Sequence, residues 1–283
     1  MAKFAALRKA YEHRIARGSQ SAFQSDLLTA AFDNLEVRGA LRFNNFAYSL
    51  REFLRHILHE AAPAEEVKKC PWFKPEKSAT GGITRSHRAK YAIQGGLSDQ
   101  FLKKKLGIVE VDDVLKNLVE AQNVLSKYTH IGPDTFNVSD VEARKLTEDC
   151  LDAATSYVEQ VFDCRRSVRD SLMEHVDQHL IDRIVSDGID EIDEIATHGW
   201  TDGHWIEEVW VEDIRSTSVL VSVEGTVEVG LQYGSDGDVK RDMGVVTSDS
   251  FPFRASILVK MKAPLGEFAS VESLNVNTDS FYE

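Results

Sequence analysis

The chain has 283 residues, 42% of them hydrophobic and 28% charged, which suits about two domains with their own cores and excludes a disordered or fibrous protein. Its formal net charge of −13 argues against a phosphate-rich partner, yet the charge is unevenly spread. Residues 1–130 carry 21 Lys and Arg against 14 Asp and Glu, whereas residues 131–283 carry 12 against 32, so the first part is free to meet phosphate. No run approaches the ~18 apolar residues of a membrane span, and the first ten residues lack the apolar centre of a signal peptide. A cytoplasmic protein with no membrane partner is expected. Cys70, Cys150 and Cys164 form no CxxC pair and read as reduced thiols.

Residues 5–37 predict one or two helices, with Ser25 or Asp26 as the cap. From Phe43 the apolar positions Phe46, Ala47, Leu50, Phe53, Leu54, Ile57 and Leu58 follow the stripe of a core-facing helix, which Pro63 and the Pro71 to Pro75 stretch end. A further helix opens at Thr84 and closes near Gly95-Gly96, and another lies around Val111 to Tyr128. Ser139, with Glu142 three residues on, is a capping-box signature for a long helix running toward Leu180. Near Gly199 the period changes to two: Val219, Val221 and Val223, then Val227, Val229, Leu231 and Tyr233, with Gly225 as a turn between the two runs. Val209 to Ile214 and Phe253 to Met261 add strands. The expected fold is α+β: an N-terminal helical bundle over 1–198, then a small antiparallel β-rich module over 199–283. No internal repeat and no low-complexity tract is evident.

Familiar cofactor signatures are missing: there is no Walker loop, GxGxxG, HExxH or GxSxG, and neither a cofactor nor a metal is expected. The densest polar cluster is Arg51, Glu52, Arg55, His56 and His59. A histidine with nearby arginine is what cleavage of an RNA phosphodiester needs, as a base for the 2′-hydroxyl and a cation for the phosphorane charge. The same residues also suit a solvated helix face, since Arg51 and His56 lie ~140° apart around an ideal helix. Arg85, His87, Arg88 and Lys90 form a second basic group suited to a phosphate backbone, and Lys127 and His130 close the Val111 helix. His175 and His179 have metal-pair spacing without an evident third ligand. Asp236, Asp238 and Asp242 sit in a glycine turn, and Asp238-Val-Lys240 imitates the D-x-K half of a metal-dependent nuclease hairpin, with Glu224 or Glu228 upstream.

Arg42-Phe-Asn-Asn-Phe-Ala47, Leu50-Arg-Glu52 with Arg55-His56, Cys70-Pro-Trp72, Ile83-Thr-Arg85, Tyr91-Ala-Ile-Gln-Gly-Gly-Leu97 and Leu125-Ser-Lys-Tyr-Thr-His-Ile131 occur in order. With Gly225-Thr-Val-Glu-Val229 and Tyr233-Gly-Ser-Asp236, the series resembles the predicted pPIWI-associating nuclease family of bacterial conflict systems. The helical part is also similar to HEPN domains, in which a Leu-Arg-Glu helix precedes a helix ending in a basic residue and His; Leu50-Arg-Glu52 and Lys127 to His130 fill those places. The resemblance implies an anti-phage or anti-plasmid protein and a metal-independent ribonuclease acting as a homodimer, RNA being the favoured nucleic acid. His56 or His130 would be the base, with Arg51 and Arg55 beside it and Arg85, Arg88, Lys90 and Lys127 on phosphate. The acidic β module would sense or bind a defence-system partner protein. Two other readings stay open: a metal-dependent nuclease built on the Asp238 hairpin, and a non-catalytic adaptor.

Overall fold

The computed structural model describes residues 2–262 and 264–282. The chain divides into two compact units, 1–164 and 165–283. That division falls inside the longest helix, ahead of the change of hydrophobic period near residue 198.

The first unit is helical. Helices α1 (Ala2–Ala16) and α2 (Ala22–Glu36) precede α3 (Arg42–Ala61), and α4 (Ala64–Lys69), α5 (Arg85–Gln94) and α6 (Asp99–Phe101) follow. After a π-turn at Leu102–Leu106 come α7 (Val111–Tyr128) and α8 (Asp140–Asp187), the latter running on into the second unit. The stripe on α3 is the centre of the core: Phe43, Phe46, Leu50, Phe53, Leu54 and Leu58 are all buried. Each such side chain contributes about 1.5–3 kcal/mol through burial. One boundary differs from expectation. Ser21, not Ser25 or Asp26, caps α2 by accepting from the Gln24 N–H at 3.4 Å. Ser25 already lies within the first turn, where its hydroxyl donates back to the Ser21 carbonyl.

The ordered short motifs between α4 and α6 build structure. Ala62, Val67, Cys70 and Tyr91 form a small core onto which Trp72, Phe73 and Ile83 pack. The Trp72 indole N–H donates to the Gly95 carbonyl at 2.7 Å, and the Cys70 thiol donates to the same oxygen at 3.5 Å. Burial, with Glu66 nearby, pushes the Cys70 thiol up to about 12, so it stays a neutral donor. Gly95 ends α5 with φ +53°, a conformation that favours glycine. Cys70, Cys150 and Cys164 are buried and form no disulfide.

In the second unit, α9 (Asp190–Ile195) leads into an antiparallel sheet in the order β1 (His198–Ile214), β2 (Ser218–Tyr233), β3 (Val245–Lys260), β4 (Ala269–Val276). Val219, Val221, Val223, Val227, Val229 and Leu231 bury one face of β2. On that side Asp177 of α8 pairs with His204 at 2.9 Å. Gly225 is not a turn, as its place between two valine runs suggested, but lies mid-strand opposite Ile206 and Phe253. The strand needs glycine there because a Cβ would collide with the Trp205 carbonyl oxygen and lie 2.8 Å from the Phe253 ring. Strand β4 carried no sequence signal strong enough to predict it, since exposed polar residues occupy half of its length.

Candidate active site

The α3 cluster is organised around Glu52. Its carboxylate accepts from the Arg51 Nη2 and the Arg55 Nε, each at 2.8 Å. Burial pushes this carboxyl up, but the two guanidinium groups outweigh it and hold Glu52 below the usual carboxylate range. Arg55 Nη2 also lies 2.9 Å from His56 Nε2. A guanidinium only donates, so in this contact Nε2 is the accepting nitrogen of the imidazole. The His56 ring meets the edge of Phe23, with centroids 5.0 Å apart. Arg55 is exposed and can swing away from His56 without disturbing the core.

Arg51 links this cluster to another element. Its Nη1 donates to the Thr129 hydroxyl at 3.1 Å, and Thr129 caps α7 immediately before His130. The segment carrying His130 is fixed from below. The buried Asn44 amide donates to the Tyr128 carbonyl at 2.8 Å and to the Thr135 carbonyl at 3.1 Å. The Thr135 hydroxyl donates to the His130 carbonyl at 2.7 Å. The backbone is thus held while the His130 side chain is exposed. Asn44 belongs to the Arg42 to Ala47 motif, which by itself marked no role for it; its place beside Phe43 on the buried side of α3 is what lets it hold these carbonyls.

At the other end of α3, burial first, then the charges of Arg88, Arg55 and His56, push the His59 imidazole down. Arg88 also donates to the Ala62 carbonyl at the end of α3, and its own burial lowers its pKa. The remaining basic candidates are more dispersed. Lys90 pairs with Asp99 at 2.7 Å and lies over the Trp72 ring. Lys127 lies 3.9 Å from Asp134, and Arg85 is exposed on the first turn of α5. His87 is occupied structurally: its Nδ1 accepts from the Thr84 N–H at 3.2 Å, completing a capping box.

The groups with metal-site spacing do not form the arrangement that spacing suggested. Asp238 and Lys240 are not on a strand of a hairpin; Asp238 lies in the helical turn α10 (Asp236–Val239), bound to Ser235 and Arg241. Serine capping at Ser235 turns the chain before the D-x-K residues can extend. His179 Nε2 lies 3.0 Å from the Gly266 carbonyl. Among the described residues no three His, Cys, Asp or Glu side chains converge as a metal-binding group.

Burial pushes the His87 imidazole below its usual value near 6.5, and His59 shifts the same way. The unfolded chain therefore takes up these protons at higher pH than the folded one. Stability is complete above the usual value and falls as the pH drops through the window beneath it, levelling off once the folded rings are protonated. The midpoint of chemical unfolding is expected to be lower at about pH 5.5 than at about pH 7.5. His87→Gln, which keeps an acceptor in the capping box, should show a smaller drop; an equal drop would remove His87 from the explanation.

A helical unit with an Arg-Glu-Arg-His surface, followed by an acidic antiparallel sheet, defines a two-part α+β protein. Residues 17–154 match a family model described as predicted pPIWI-associating nuclease, and residues 161–282 match a second model of the same description. The chain belongs to this family of predicted nucleases. No curated protein and no solved structure matches significantly. Among the described residues no helix is long and apolar enough to cross a membrane.

Proposed function

We propose that the protein is a defence ribonuclease whose first unit, HEPN-like in its helices, cleaves RNA without a metal ion. The observation that carries this reading is the Arg51 guanidinium, which joins Glu52 on α3 to Thr129 beside His130 at the end of α7. A base and a fixed cation are the two groups that transesterification of RNA requires. His56 or His130 takes the proton of the 2′-hydroxyl as its oxygen attacks phosphorus. Arg51 and Arg55 stabilise the charge on the non-bridging oxygens, the 5′-oxygen leaves with a proton taken from solvent, and the imidazolium returns its own proton to solvent. The products are a 2′,3′-cyclic phosphate and a 5′-hydroxyl. Arg85, Arg88, Lys90 and Lys127 serve the flanking phosphates, and a homodimer completes the site as the HEPN resemblance implies.

The acidic second unit binds a partner protein of the defence system, because its charge repels phosphate. The test is incubation of the purified chain with single-stranded RNA in EDTA. Cleavage to cyclic-phosphate ends is expected, and a substrate with 2′-deoxy nucleotides throughout should resist it. Cleavage only with added divalent metal, or equal cleavage of the deoxy substrate, contradicts the mechanism. A protein that turns over neither RNA nor DNA and co-purifies with a neighbouring gene product is the adaptor instead; the pairing of Lys90 with Asp99 and of Lys127 with Asp134, which leaves less positive charge for phosphate, is the feature that favours that outcome.

A further inference from the structure

Trp200, Trp205 and Trp210 stand five residues apart on β1. On a regular strand each five-residue step turns the side chain to the opposite face. A register shift falls within each interval, between Thr201 and Gly203 and between Ile206 and Glu208. The three tryptophans therefore pair with Gly230, Thr226 and Ser222, which are four residues apart on β2 and share one face. This is the face opposite the buried valines. Gly230 is required beneath the first of them, since a Cβ there would collide with the Trp200 indole.

The extra residue at each shift is acidic: Asp202, Glu207 and, at the third shift between Val211 and Asp213, Glu212. All three turn onto the tryptophan face. Asp202 accepts from the Trp200 indole N–H at 2.9 Å, Glu207 from the Thr226 hydroxyl at 2.6 Å, and Glu212 from the Ser222 hydroxyl. A Trp-x-acid unit is thus repeated three times, a short repeat hidden from a search at domain scale. Trp200 is 42% and Trp205 52% exposed, so these indole surfaces are open. Bases are scarce here. Among the described strand residues of this face they are Arg254, bonded to Glu224 at 2.8 Å, and Lys260 at the far corner beside Ser218.

An exposed indole face attracts cations, and a neighbouring carboxylate strengthens that attraction while repelling phosphate. We infer that this ladder of Trp-carboxylate pairs binds an extended arginine- or lysine-rich segment of a partner protein. Each cationic side chain rests on one indole beside its acid. The steps are four residues of β2, about 13 Å at ~3.3 Å per residue, which an extended segment matches with a cation at every fourth position. Recognition is by the face and not by strand addition, because the three bulges interrupt the free edge of β1. The inference rests on the second unit being the partner-binding part and is independent of RNA cleavage by the first.

A chain of net charge −13 attracts any polycation, so the test holds charge constant. Fluorescence anisotropy compares the full chain's affinity for a labelled peptide with arginine at every fourth position, glycine and serine between, and for one of the same composition with its arginines adjacent. The spaced peptide is expected to bind about tenfold more tightly, and Trp205→Ala to remove about tenfold of that affinity. Glu207→Gln should weaken it in the same direction. Both residues are exposed, and unchanged Tm confirms that the variants fold. Equal affinity for the two peptides, or unaltered binding by Trp205→Ala, overturns the proposal. So does oligo(U) RNA binding that depends on Trp205, which would assign the face to nucleic acid. RNA cleavage is not read in any arm, so failure here leaves the ribonuclease reading standing.

Discussion

Arg51→Ala is expected to lower RNA cleavage by about 10²–10³-fold, the usual effect of removing one fixed donor from a developing oxyanion. The residue ties Glu52, which Arg55 also holds, to the Thr129 hydroxyl at the end of α7. Its removal takes the guanidinium away from Thr129 and leaves Glu52 with Arg55 alone, while Asn44 and Thr135 still hold the backbone around His130. The cost in stability should be small, within about 1 kcal/mol, because the ion pair is partly solvated and Glu52 keeps a partner. Arg51→Lys should recover only part of the activity, since an ammonium cannot span two acceptors in a fixed fork. Single-turnover cleavage and thermal unfolding measured on the same preparations separate the two effects. A large loss of Tm in Arg51→Ala would make the residue structural.

The largest effect on stability is expected from Gly225→Ala. A methyl group at that position meets the Trp205 carbonyl on one side and the Phe253 ring on the other, both part of a paired ladder with no room to recede. Overpacking of this kind costs about 3 kcal/mol, and here it falls in the middle of the longest-paired strand of the sheet. Gly39→Ala is the matched control, because a Cβ there would meet nothing within 4 Å. Denaturant unfolding followed by tryptophan fluorescence, to which Trp200, Trp205 and Trp210 contribute three of the four tryptophans, should show an early transition in Gly225→Ala and a near-normal one in Gly39→Ala. Equal midpoints for the two variants would contradict the packing argument.

The helices were legible wherever apolar spacing and end chemistry agreed. Phe43 to Leu58 marked α3, the expectation of a helix around Val111 to Tyr128 matched α7, and Ser139 opened α8 by accepting from the Glu142 N–H at 3.2 Å. Gly225 misled because turn chemistry and close backbone approach call for the same residue, and only the partner strands distinguish them. Asp238-Val-Lys240 misled for a related reason, as Ser235 captured the segment in a helical turn. In the site, residue types and neighbours along α3 could be read directly. What could not be read was which candidate reaches across to α7, because that depends on how α3 and α7 pack. The structure joins Arg51 to Thr129, spends His87 on a cap, and draws Lys90 toward Asp99. The tryptophan ladder was hidden for the opposite reason: a five-residue period looks irregular on a strand until the bulges are counted.

The ribonuclease reading stands most directly on one measurement, cleavage of single-stranded RNA in EDTA by the wild type, by His56→Ala and by His130→Ala. The wild type is expected to cleave, and loss of the base to cost about 10²–10⁴-fold in one of the two variants. Undiminished cleavage by both variants, or a wild type that needs divalent metal, would contradict it.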